Sequence, residues 1–171
     1  MVKFRCNLLT ALRRFLVAAA LGLWLGGFTF YSAVVIHVGT DVLGDHRQVG
    51  FISERVSNWL NLIGAVALVL ALWNMVAIWR TAARWRQAIL GATWLVMTIS
   101  LAALVVLHRS LDGVLNTDSQ EIVNYDEFLW LHGAYLAVST VQWGAGLLHV
   151  FCLVFPSRAP MADHHALNAG D

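Results

Sequence analysis

Four stretches of about twenty apolar residues, none interrupted by proline or by Asp, Glu, Lys or Arg, dominate this 171-residue sequence. They run over about 15–36, 59–79, 88–107 and 128–155. A hydrocarbon core roughly 30 Å thick is crossed by about 20 residues rising 1.5 Å each. In that medium every backbone N–H and C=O must find its partner inside the segment, so each stretch is predicted to be a transmembrane helix. Pro156 and Pro160 both follow the last stretch and mark its end. The expected fold is all-α: a polytopic four-transmembrane-helix bundle over residues 1–155, followed by a short, loose, polar cytoplasmic tail at 156–171.

Composition closes the alternatives. At 59% hydrophobic and 12% charged residues, the chain has about half the charge of a soluble domain and is too apolar for disorder. Two cysteines do not make a disulfide scaffold, and a net charge of +1 leaves no excess to neutralise phosphates, so nucleic acid is excluded as a partner. Basic residues precede the first stretch and three alanines lie inside it, as in a signal peptide. Its length of about 22 residues and the lack of a following cleavage site read instead as a retained anchor.

Lys and Arg set the sidedness. Lys3, Arg5, Arg13, Arg14, Arg80, Arg84, Arg86 and Arg158 share one side, against Arg47, Arg55 and Arg109 on the other. Both termini are therefore expected inside, in a cell inner (plasma) membrane. Asp41, Asp45, Glu54, Asp112, Asp118, Glu121, Asp126 and Glu127 all fall in the two outer loops, which makes the outer mouth attractive to cations. Cys6 and Cys152 fall on the reducing side, so no disulfide is expected. Residues 41–58 scatter Val42, Phe51, Ile52 and Val56 among charges, the pattern of an interfacial helix feeding the second span.

Periodicity assigns faces. Gly22, Gly26, Thr29, Ala33 and His37 form one stripe of the first span, with Gly22 and Gly26 as a close-packing G-x-x-x-G. His132, Tyr135, Ser139, Gln142, Gly146 and His149 recur at helical spacing in the fourth, a polar seam that belongs in the bundle interior. Thr93, Met97, Ser100, Leu104 and His108 share a face of the third, and Asn61, Leu68, Leu72 and Met75 one of the second.

Under this topology His37, Asn61, His108 and His132 lie at one depth near the outer rim, with Tyr135 one turn deeper and Asp41 near by in the chain. His37, His108, His132 and Asp41 offer the donor set of a copper or zinc site. Two of the histidines on facing helices, with Tyr135 beside them, would equally suit a b-type haem. The plainer alternative is that helix-end histidines simply sit among headgroups. His149, about 25 Å along the helix from His132, is expected to be a hydrogen-bonded seam residue together with Ser139 and Gln142. His164 and His165 form a short tract in the tail.

Of the eight tryptophans, Trp59 and Trp130 are expected at the outer boundary and Trp79 and Trp85 at the inner one. Trp24, Trp73, Trp94 and Trp143 fall deeper, where they would pack on a partner or on lipid. No Walker loop, nucleophile elbow, H-E-x-x-H or dinucleotide fingerprint occurs, so nothing argues for an enzyme.

Trp24-Leu25-Gly26-Gly27-Phe28, Gln48 with Phe51, Asn61, and Phe128 with Leu131-His132 resemble the transmembrane-protein-205-like family of four-helix membrane proteins, within the copper-resistance-D-like superfamily. The resemblance implies a four-helix bundle and an association with copper handling or haem-linked chemistry. One superfamily branch is a haem-containing protoporphyrinogen oxidase using a first-helix histidine and a third-helix lysine; the only lysine here is Lys3, outside the spans. The leading expectation is a non-enzymatic membrane protein with an outward pocket for a metal ion (copper) or haem. The alternative is a structural or accessory subunit of a larger membrane complex, held by contacts with other membrane subunits or by self-association.

Overall fold

The computed structural model describes residues 2–44, 46–80, 82–116, 121–122 and 124–155, with backbone alone at 2–7, 46–47, 115–116 and 121–122. The tail, with His164 and His165, lies outside the described residues. Helix α1 (Val2–Phe30) passes through a π-helical turn (Tyr31–Val35) into α2 (Ile36–Leu43). Then come α3 (His46–Ile78), α4 (Arg84–Val114) and α5 (Tyr125–Val154). A two-residue antiparallel ribbon, β1 (Leu115–Asn116) with β2 (Glu121–Ile122), joins α4 to α5.

Four helical segments are long and apolar enough to cross a membrane: Leu8–Leu43, Gln48–Ile78, Arg84–Val114 and Tyr125–Val154. Their outer faces carry exposed Leu8, Phe15, Leu23, Val69, Val106, Leu148 and Phe151, which only a lipid surface solvates. The chain is a multi-pass membrane protein built as an all-α four-helix bundle.

The helices outrun the apolar stretches. α3 has 33 residues, roughly 50 Å, so its first turns extend past a 30 Å hydrocarbon core. Of residues 41–58, expected from sequence as an interfacial helix feeding the second span, 41–43 end α2 and 46–58 are the first turns of α3 itself. Gly44 makes the break before it: its φ of 63° is the left-handed conformation that glycine adopts without a Cβ clash, and its N–H donates to the Thr40 carbonyl. At the start of α5, Asn124 accepts from the Glu127 N–H and donates to its carboxylate, a reciprocal cap that satisfies one of the orphan amides.

The most extensive pairing is α4 with α5, followed by α1 with α3. The core fills one half of the bundle, where Val17, Leu21 and Trp24 of α1 meet Ala67, Leu68 and Ala71 of α3 and Met97 of α4. Leu111, Val114 and Leu131 form a smaller cluster under the ribbon.

Inside the bundle, polar side chains stitch helices together. Trp94 Nε1 donates to the Leu68 carbonyl at 3.0 Å, and Gln142 Nε2 to the Met97 carbonyl at 3.2 Å. Thr93 Oγ1 and His149 Nδ1 lie 2.8 Å apart, both residues buried. Trp143 Nε1 donates to Thr29 Oγ1. Of the four deeper tryptophans, Trp24 is core and Trp94 and Trp143 are held by these bonds, while Trp73 is exposed.

The close helix approach expected at Gly22 and Gly26 falls elsewhere within this chain. Both are exposed, and a Cβ on either would meet nothing within 4 Å. A Cβ on Gly64 would instead lie 2.6 Å from Trp24, and one on Gly146 2.7 Å from Leu25. The reason is that α1 turns the face of Val17, Leu21, Trp24 and Leu25 inward and so leaves the glycine stripe outside.

Candidate functional site: a cavity at the ribbon end of the bundle

Toward the ribbon the helices part around a cavity of about 870 Å³. Along α5 its lining runs from Tyr125 to Gln142, roughly 25 Å at helical rise. Trp24, Phe28, Leu60, Leu104, Leu111 and Phe128 supply most of the apolar wall. Mixed walls of this kind and volume are those of small-molecule sites, in which apolar surface holds the ligand body and a few polar groups fix its orientation.

Each segment brings its side chains here for a local reason. In α1, Val17, Leu21, Trp24 and Phe28 recur at steps of four, three and four, so all face inward. The π-turn then closes with the Ile36 N–H donating to the Tyr31 carbonyl, a five-residue step. Tyr31 and Ile36, which an uninterrupted α-helix would set on different faces, therefore both line the cavity. The extended start of α3 contributes Phe51, Ser53, Glu54, Ser57 and Asn61.

The polar groups divide by position. The Tyr31 hydroxyl donates to Ser53 Oγ, which donates onward to the Val49 carbonyl. The Tyr135 side chain interacts with Ser57 and Asn61. At the floor, Ser139 and Gln142 are buried on the α5 seam. Near the mouth, His108 Nε2 stands 3.9 Å from Asp112 Oδ1, and the His132 ring stacks on Phe128 with centroids 5.7 Å apart. His108 Nε2 and Ser139 Oγ are buried with no hydrogen-bond partner among the described residues, a cost of about 1–3 kcal/mol each until a rearrangement supplies one.

The charge of the lining is one-sided. Glu54 and Asp112 belong to it, and no Lys or Arg does among the described residues. Arg55 and Arg109 are exposed and outside the wall.

Of the residues singled out from sequence, His108, His132, Tyr135, Ser139 and Gln142 line this cavity. His149 is buried at the far end of the α5 seam, against Thr93. His37 and Asp41 are exposed on α2 and are not part of the lining, so His37 does not join His108 and His132 there. Among the described residues no group of three or more His, Cys, Asp or Glu is placed to hold a metal ion. The cause is the inward turn of the Val17, Leu21, Trp24 face of α1, which carries the stripe of Gly22, Gly26, Thr29, Ala33 and His37 outward. From sequence, Glu54 is placed among the outer acids and Phe51 in the motif before the second span, but neither as a wall residue of the site, and Tyr31 is not singled out. For Glu54 and Phe51 the missing element is that α3 runs unbroken from 46 into the second span.

Compared with protein-family models, curated proteins and solved structures, the chain matches none.

Proposed function

We propose that this multi-pass membrane protein binds an amphipathic organic cation in the ribbon-end cavity, its apolar body against the aromatic wall and its charge near Glu54 and Asp112. The observation that carries this reading is the composition of the lining: two carboxylates, seven aromatic residues from Trp24 to Tyr135, and no Lys or Arg among the described residues. A cation over an aromatic face gains about 0.5–2 kcal/mol, most where water is excluded. The same lining disfavours an anion such as haem, whose propionates would meet Glu54 and Asp112 with no arginine to pair. A bare copper ion finds no group of three His, Cys, Asp or Glu together among the described residues.

The positive-inside rule supports an orientation with both termini in the cytoplasm, because Arg13, Arg14, Arg80, Arg84 and Arg86 gather at the end opposite the cavity. The cavity then opens on the extracytoplasmic side.

The test uses purified full-length protein in detergent, titrated calorimetrically with tetraphenylphosphonium and with its anionic isostere tetraphenylborate. The phosphonium is expected to bind and the borate not, with Glu54→Gln plus Asp112→Asn weakening the former at least about tenfold, or 1.4 kcal/mol. Equal binding of the two ions, or a double variant as tight as the parent, overturns the reading. A Soret band in the purified protein would overturn it in favour of haem.

A further inference from the structure

The opposite end of the bundle has a second cavity, of about 390 Å³, with the inverse chemistry. Arg14 of α1, Asn74 of α3 and Arg86 of α4 line it, together with Leu153 and Val154 at the end of α5. We propose that this cavity binds a phosphate group, supplied by the headgroup of an acidic phospholipid or by free phosphate.

Three observations converge. First, the polar lining consists of donors. Arg13 Nε donates to Asn74 Oδ1 at 3.0 Å, so the amide oxygen is the end engaged by an arginine and the NH2, a donor, is the other. Asn74 is 2% exposed, so this orientation is fixed by packing as well as by the hydrogen bond. Second, the Arg86 guanidinium is held in place. Its Nε and Nη2 both donate to the Cys152 carbonyl, at 3.2 and 2.8 Å, one of the end carbonyls of α5 that lack a helical partner. The remaining N–H groups of that planar fork stay available, and guanidinium forks match phosphate oxygens bidentately.

Third, this end has no countercharge among the described residues. Arg13, Arg14, Arg80, Arg84 and Arg86 gather here, whereas Asp41, Glu54, Asp112, Asp126 and Glu127 all lie at the other end. The positive-inside rule accounts for the number of these arginines but not for two of them facing one cavity beside an oriented amide. Val17, Ala18, Ile78 and Leu153 make the rest of the wall apolar, as acyl chains next to a headgroup require.

The experiment compares the full-length protein with Arg14→Gln plus Arg86→Gln and with Arg80→Gln plus Arg84→Gln, an equal loss of charge at exposed positions outside the cavity. Each is exchanged into nanodiscs of phosphatidylcholine with or without phosphatidylglycerol, and retained lipid is read by native mass spectrometry. Separately, inorganic phosphate is titrated against thermal unfolding in detergent. Retained phosphatidylglycerol, lowered at least fivefold by the Arg14 and Arg86 changes and little by the Arg80 and Arg84 changes, supports a lipid phosphate. Stabilisation by inorganic phosphate with the same dependence on Arg14 and Arg86 supports a free one. Arg14→Lys plus Arg86→Lys should retain an intermediate amount, which separates lost binding from lost folding. Equal losses in the two glutamine variants, or no retained lipid and no response to phosphate, overturn the proposal. None of these readouts involves the ribbon-end cavity, so the two proposals fail independently.

Discussion

At the residue scale, two glycines carry the tightest packing. Because a side chain on Gly64 would enter the Trp24 ring and one on Gly146 the Leu25 side chain, Gly64→Ala and Gly146→Ala should each destabilise by about 1–3 kcal/mol. Gly22→Ala and Gly26→Ala, with open space around them, should leave the unfolding midpoint within about 0.5 kcal/mol of the parent. Denaturation in mixed micelles measures all four, and a reversed ranking would refute this account of α1. Thr93→Val keeps shape but removes the partner of His149 Nδ1, and is expected to cost about 1–2 kcal/mol in the same assay. The α5 seam at Ser139, Gln142, Gly146 and His149 was legible in the sequence because polar groups at helical spacing in an apolar helix avoid lipid. The stripe from Gly22 to His37 was not, since periodicity locates two faces of α1 and does not say which one turns inward.

At the element scale, the π-turn sets what the first span presents. Its wider turn keeps Ile36, five residues on, on the same wall as Tyr31 and leaves His37 and Asp41 outside. Deleting Ala33 should restore a plain α-helix in which Ile36 follows Tyr31 by four residues, about 400° of turn, and so stays on that wall. The core at Val17, Leu21 and Trp24, which precedes the turn, stays packed. The expected outcome is a tetraphenylphosphonium affinity and an unfolding midpoint both close to those of the parent. A severalfold weaker affinity would show that the fifth residue itself shapes the wall. No local signal in Tyr31-Ser32-Ala33-Val34-Val35 announces the turn, whose first residue is tied to α3 by the bond from the Tyr31 hydroxyl to Ser53.

At the scale of the whole molecule, charge is polarised along the bundle axis: carboxylates and the larger cavity at one end, arginines and the smaller one at the other. The proposed orientation, with both termini inside, predicts that Ser110→Cys in a Cys6→Ser background reacts with a membrane-impermeant maleimide added to intact cells, and Arg80→Cys only after lysis. The reverse pattern would invert the assigned sidedness. The amino-acid sequence by itself determined that four helices span a membrane, since unpaired backbone groups have no alternative in hydrocarbon and the apolar lengths match its thickness. It also determined the segregation of charge, which needs only the chain order of the loops. Which stripe of α1 faces its neighbours was decided by the tertiary structure alone. Inside a bilayer, lipid and protein interior are equally apolar, so no hydrophobic gradient tells Trp24 from Gly22, and only the fit of side chains between helices selects the inward face.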